Sequence, residues 1–123
     1  MVVNEPDIRV KRIYEPADAD DGTRILVDGM WPRGVSKEGA ALHEWRKDVA
    51  PSQELRQWFG HRVERWDEFC DRYRAELATN RGVDELAVVA RQGRLTLLFS
   101  ARDHEHNQAV LLAEVVAERL ARE

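Results

Sequence analysis

Apolar residues in this chain fall into two kinds of run, short β-branched stretches and longer stretches at helical spacing. Ile8, Val10 and Ile13 alternate imperfectly with basic residues, which predicts a strand over Ile8–Tyr14. Thr23–Asp28 is more continuously apolar through Ile25, Leu26 and Val27 and predicts a buried strand. The acidic segment EPADADDG between them is turn-rich and too short for a helical crossover, so spacing alone predicts that the two strands pair as a hairpin. The clearest strand is Arg94–Ser100, RLTLLFS. Its unbroken Leu95, Leu97, Leu98 and Phe99 predict burial on both faces, in the middle of a helix-covered sheet.

The helical pattern is equally local. Leu55, Trp58 and Phe59 share one face of a short helix that Ser52 caps and Gly60 stops. Trp66, Phe69, Cys70, Tyr73 and Leu77 form the inner face of a longer helix over Val63–Ala78. A third helix is predicted from Asp84 to Gln92, before Gly93. The last starts near Asp103–His106 and turns Ala109, Leu112, Ala113, Val116 and Leu120 inward. The stretch ALHEWRKDVAPS admits two readings. Leu42, Trp45 and Val49 suit a helical face, whereas the short length and Pro51 suit a strand that leads into a turn. Strands followed by helices, closing on strand, loop and helix, predict one α/β domain with a partly parallel sheet. Ligands in such sheets bind beyond the carboxyl ends of the strands, which singles out two loops, DGMWPRG (28–34) and SARDHEHN (100–107).

Composition narrows the function classes. A chain of 123 residues suits a single domain that needs neither disulfide nor metal to hold its core. A net charge of −4 argues against a protein built to wrap duplex DNA. The single cysteine, Cys70, excludes an internal disulfide, and its place on an apolar helical stripe makes it a core residue rather than a nucleophile. No apolar run approaches the roughly 18 residues of a membrane span, and a cytoplasmic protein is expected. The G-x-S-x-G elbow, the Walker loop, the dinucleotide fingerprint and the H-E-x-x-H helix are all absent, and no cofactor is expected.

The two loops carry the candidate chemistry. Pro32 fixes its own φ and keeps Trp31 extended, and Gly34 permits an abrupt exit, so Arg33 projects from a stiff support. A guanidinium there can take a carboxylate or phosphate through two parallel hydrogen bonds, with Trp31 as a wall. The structural alternative is that Trp31 plugs the sheet edge while Arg33 pairs with Asp28 or a helix carboxylate. In the second loop the free N–H groups of a helix start are joined by Ser100, Arg102 and Asn107, and Asp103 reads as the helix N-cap. His104 and His106 could chelate a metal with help from His43 or His61, but a solvated helix start is the default and no metal is predicted. ADADDG lacks the far glutamate of a calcium loop, and Ser52 is better placed to cap than to attack.

Taken in order, KRIYEP, DGMWPRG, APSQELRQWFGH and LTLLFSARDHEHNQAV resemble the YeaO-like family of uncharacterised bacterial proteins, a branch of domain-of-unknown-function family 488. The resemblance runs from about Ile8 to Leu120 and brings no established activity. It implies a parallel sheet with the first two strands side by side, in place of the hairpin. The expected architecture is therefore α/β, a small mostly parallel sheet of about four strands covered by helices. Family motifs fall on Lys11, Arg12 and Tyr14, on Asp28, Trp31, Pro32 and Arg33, on Pro51 and Ser52, on Phe59 and His61, and on Ser100 and Asn107. Gly29 stands where such relatives usually carry an arginine, and Arg102 where lysine is common. Wider relatives often have cysteines near positions 100 and 107, and this chain has neither.

These readings converge on a small anionic ligand, a phosphorylated one included, held at the carboxyl edge of the sheet. Arg12, Arg33 and Arg102 would supply charge, Tyr14 and Trp31 the walls, and Ser100 and Asn107 orienting hydrogen bonds. For an enzyme, Asp28 or His61 is the best acid or base. A rival from another class is a non-catalytic regulatory or partner-binding module anchored by exposed Trp45 or Trp58. Single-stranded nucleic-acid binding is disfavoured by the acidic balance. Nothing in the sequence indicates an oligomeric state.

Overall fold

The structure, a computed structural model, describes residues 6–122. Four strands, β1 (Ile8–Arg12), β2 (Thr23–Leu26), β3 (Glu44–Trp45) and β4 (Leu95–Phe99), form one sheet in the order β1-β4-β2-β3. Every neighbouring pair is parallel, with Ile8 and Thr23 both opposite Leu95 and with Ile25 opposite Glu44. The mostly parallel α/β sheet is as expected, but both readings of the first two strands are overturned. They form no hairpin and they are not neighbours, because β4 lies between them.

The reason lies in β4 itself. All five of its residues are buried, so it needs a hydrogen-bonded partner on each edge as well as cover on each face. The acidic segment after β1 makes the crossover without a helix, through a short 3-10 turn at Ala19–Asp21 capped by Asp18. It re-enters the sheet at Gly22, whose φ of 66° suits glycine and whose missing side chain lets it lie against Arg94, where a Cβ would come within 2.4 Å of the Arg94 carbonyl oxygen.

Alternation along the strands separates two apolar layers. Ile25, Val27, Leu95, Leu97 and Phe99 face the helices α2 (Gln53–Phe59), α3 (Trp66–Leu77), α4 (Arg81–Gln92) and α5 (Gln108–Ala121), and form the main core. Each such side chain, once fully buried, contributes about 2 kcal/mol. The opposite face is thinner. There Ile13, Leu26 and Leu98 meet Ala40 of α1 (Lys37–Ala40), with Trp31, Val35, Leu42 and Trp45 packed around them.

Local signals set most helix ends. The Ser52 hydroxyl accepts from the Leu55 N–H, and Gly60 closes α2 in the left-handed region. A 3-10 turn at Val63–Arg65 occupies the first residues of the predicted long helix, so α3 proper begins at Trp66. The third predicted helix is α4, which begins at Arg81 rather than Asp84 because Asn80 caps it through Gly82. The last helix is α5, capped by Asn107 and not by Asp103, since the Asn107 Oδ1 accepts from Val110. Asp103 holds the turn one step earlier, accepting from the N–H groups of Glu105 (2.8 Å) and His106 (3.0 Å). In the ambiguous stretch the strand reading holds for Glu44–Trp45, followed by a 3-10 turn at Lys47–Val49. Cys70 is half-buried against the main core. Among the described residues no helix is long and apolar enough to cross a membrane.

Candidate functional site

Because β2 and β4 are parallel neighbours, the loops that follow them leave the sheet side by side, and the end of β1 lies next to β4. Between these loops and the C-terminal part of α2 lies a cleft of about 1100 Å³. All nine residues singled out from the sequence line it: Arg12, Tyr14, Asp28, Trp31, Arg33, His61, Ser100, Arg102 and Asn107. They reach it from four stretches of chain, and their bonding differs sharply.

The first loop is fixed from two sides. The Trp31 indole N–H donates to the Val35 carbonyl (2.7 Å), and the Tyr14 hydroxyl donates to the Arg33 carbonyl (2.7 Å). Trp31 meets Trp45 edge to face, with ring centroids 5.2 Å apart, and packs on the thinner core layer, as the structural alternative foresaw. The other half of that alternative fails. The Arg33 side chain is exposed and makes no ion pair with Asp28 or any other described residue.

Asp28 is buried at the mouth of β2. One carboxylate oxygen accepts from the Ser100 N–H (3.0 Å) and the other from the Gln108 amide. Burial pushes its pKa above the usual carboxylate range, even though the bonds from Ser100 and Gln108 and the charge of Arg56 pull the other way. Its main-chain carbonyl accepts from the Trp45 indole (2.8 Å), which ties the first loop to β3.

The cleft arginines differ in how they are held. Arg12 donates through Nε to the carbonyls of Ser100 (3.3 Å) and Ala101 (3.0 Å), and its guanidinium lies 4.4 Å from the centroid of the Tyr14 ring. Arg102 is exposed and has no ion-pair partner among the described residues. Asn107 lines the cleft but is already committed, with Oδ1 capping α5 and Nδ2 donating to the Asp103 carbonyl (2.9 Å). His61 follows Gly60 in a second left-handed position, φ 59°, and exposes its imidazole at the rim.

The remaining histidines do not gather there. His43 accepts from the N–H of Arg24 near the amino end of β2, His104 meets the Phe99 ring at 6.0 Å, and His106 pairs with Asp103 against Trp66. Among the described residues no group of three or more potential metal ligands comes together. Nor do Trp45 and Trp58 stand out as bare anchors. Both are half-buried, Trp45 under Lys47 and Trp58 between Arg65 and Arg72.

Two polar cleft residues escaped the sequence reading. Arg56, in the last turn of α2, lies with its guanidinium directly over Gly29, where a Cβ would come 2.8 Å from Nη1 and 3.0 Å from Cζ. The cation expected to be missing at position 29 is thus supplied from another element. The Arg56 Nε is buried without a hydrogen-bond partner, and the side chain makes no hydrogen bond among the described residues. Gln108 was also missed, although it follows the cap residue Asn107 directly and so had to point near the same loop.

Comparison with known proteins gives a consistent picture. Residues 7–123 match the family model DUF488-N3i, described as the inactive DUF488-N3 subclade. The chain is 45% identical over 109 residues to the uncharacterised protein YeaO of Escherichia coli (strain K12), covering 88% of this chain and 95% of that one. It is 41% identical over 115 residues to an uncharacterised protein of Mycobacterium tuberculosis (strain ATCC 25618 / H37Rv), covering 94% and 98%. No solved structure matches the chain significantly.

Proposed function

The chain belongs to the DUF488-N3i family, and on that premise we propose that it binds a small anionic ligand at the carboxyl edge of its sheet without turning it over. One observation carries this reading. Arg12, Arg33, Arg56 and Arg102 line a single cleft, and none of the four guanidiniums is paired with a carboxylate among the described residues. Guanidiniums in a structural role are normally consumed by internal acceptors, as Arg24 and Arg46 are here. Arg12 spends its Nε on two carbonyls, but the side chains of Arg33, Arg56 and Arg102 have no such acceptor among the described residues, and four cations lining one hollow in a protein of net charge −4 make a local field that concentrates anions.

Binding without turnover is favoured by the state of Asp28, since both of its oxygens already accept hydrogen bonds from protein groups. The description of the family as an inactive subclade supports the same reading. Tyr14 and Met30 expose apolar surface at the rim, which suits a ligand with an organic portion as well as a charge. The expected setting is the cytoplasm, where small phosphorylated and carboxylated metabolites are plentiful.

Thermal-shift measurements against a panel of phosphorylated and carboxylated compounds test the proposal, because a ligand that binds only the folded form raises its apparent stability. The expected result is stabilisation by at least one anion that is lost in both Arg33→Ala and Arg102→Ala. Stabilisation of equal size in both variants and in the unmodified protein would overturn it.

A further inference from the structure

We infer that Arg56 and Gly29 together form an oxyanion subsite on the floor of the cleft, and that the group it takes is a phosphomonoester. The inference rests on the anion-binding reading and sharpens it. A guanidinium presents its Nε–H and one Nη–H as a flat fork, matched to two oxygens of one oxyanion. In Arg56 the Nε half of that fork is buried and bonded to nothing. A buried donor left without an acceptor is costly, and a turn of the guanidinium that brings its Nε onto an oxygen in the cleft would relieve that cost.

Surrounding groups make the floor selective. Phe59, Phe69 and Pro51 line the same cleft, are buried, and keep its inner wall apolar, which strengthens any charge contact made there. Gly29 leaves vacant the volume that the guanidinium fills. Gly29 is not among the glycines in the left-handed region, so what the site uses is the space left by its missing side chain.

Charge and shape choose between oxyanions. Four guanidiniums face two carboxylates in the cleft, and one of these, Asp103, already holds its own turn. The excess of two positive charges matches a phosphomonoester near neutral pH and exceeds what a single carboxylate neutralises. A tetrahedral phosphoryl group can also place two oxygens on the Arg56 fork and turn a third towards Arg33 or Arg102. A planar carboxylate has no third oxygen to give.

Titration calorimetry on the full chain tests this, with phenyl phosphate and benzoate as probes. Phenyl phosphate is expected to bind, and benzoate to bind at least about tenfold more weakly, the ratio expected for one lost charged hydrogen bond. Arg56→Lys keeps the charge and removes the fork, and should weaken phenyl phosphate binding about tenfold. Gly29→Ala should do the same with unchanged thermal stability, because only the mobile end of Arg56 has to move.

The possible failures are separable. If Arg56→Lys and Gly29→Ala bind phenyl phosphate like the unmodified protein while Arg33→Ala does not, the floor subsite is wrong and the anion-binding reading stands. Equal affinity for benzoate would overturn the phosphomonoester assignment. No binding of either probe by the unmodified protein would overturn the subsite and count against the broader reading as well.

Discussion

β2 has a buried aspartate just beyond each end, and the two are treated in opposite ways. Asp21, ahead of the strand, accepts from Lys11 (3.1 Å) and from Arg24, and Arg24 spends its other donors on the carbonyls of Ala40 (2.8 Å) and Ala41 (3.2 Å). Burial alone would raise the pKa of Asp21, but the bonds from Asp18, Lys11 and Arg24 outweigh it and the carboxyl ends below its usual range. Asp28, beyond the other end, is held by a backbone N–H and an amide, and burial leaves its pKa raised. The difference separates a closed charge network, in which each ion is consumed by another, from an open one, in which arginines stand near a buried acid without pairing to it. The first is architecture. The second has capacity left for something from solution.

The largest loss is expected for Asp21→Ala. It strands Lys11 and Arg24 beside the buried face and should cost about 3–5 kcal/mol in urea unfolding, the usual penalty for removing one partner of a buried pair. Next in size, Arg33→Ala and Arg102→Ala should each remove about 2 kcal/mol of ligand affinity while changing unfolding free energy by less than about 0.5 kcal/mol. Unchanged affinity with lowered stability would move these arginines into the architectural class.

Asn107→Ala should lower unfolding free energy by about 1–2 kcal/mol through the lost cap of α5 and leave calorimetric affinity intact, since both ends of its amide are already used. Smallest is the pH response of Asp28→Asn. A carboxyl with a raised folded pKa binds more protons folded than unfolded, so its contribution to stability falls as pH rises from about 3.9, the unfolded value, through the folded value. The variant lacks that loss, so urea unfolding across this window should show the stability of the unmodified protein falling relative to it as pH rises. Asp21 has the opposite sign. Its contribution is complete above the unfolded value and disappears as pH falls through the depressed folded one.

What could be read from the sequence was whatever a short window encodes. The unbroken run in β4, the Ser52 cap and the Gly60 stop of α2, and the Trp-Pro-Arg-Gly turn after β2 each carry their own physical signature, and each lies where it was expected. Strand order was not legible, because nothing near β1 or β2 shows that a strand formed much later inserts between them. Caps failed where two suitable residues competed. Asp103 and Asn107 both suit a helix start, and the chain uses one for the preceding turn and the other for α5. Arg56 was invisible for a deeper reason, since its place in the cleft depends on how α2 docks and on the missing side chain at Gly29.

The bond from the Tyr14 hydroxyl to the Arg33 carbonyl bears on speed as well as on shape. It ties down the main chain beneath a side chain that remains free to swing, so at this loop the proposed anion would have only the Arg33 side chain to order, at about 0.5–1.5 kcal/mol. On the anion-binding proposal, capture would not wait for this loop to assemble, and selectivity would fall to the pre-set spacing of the receiving groups.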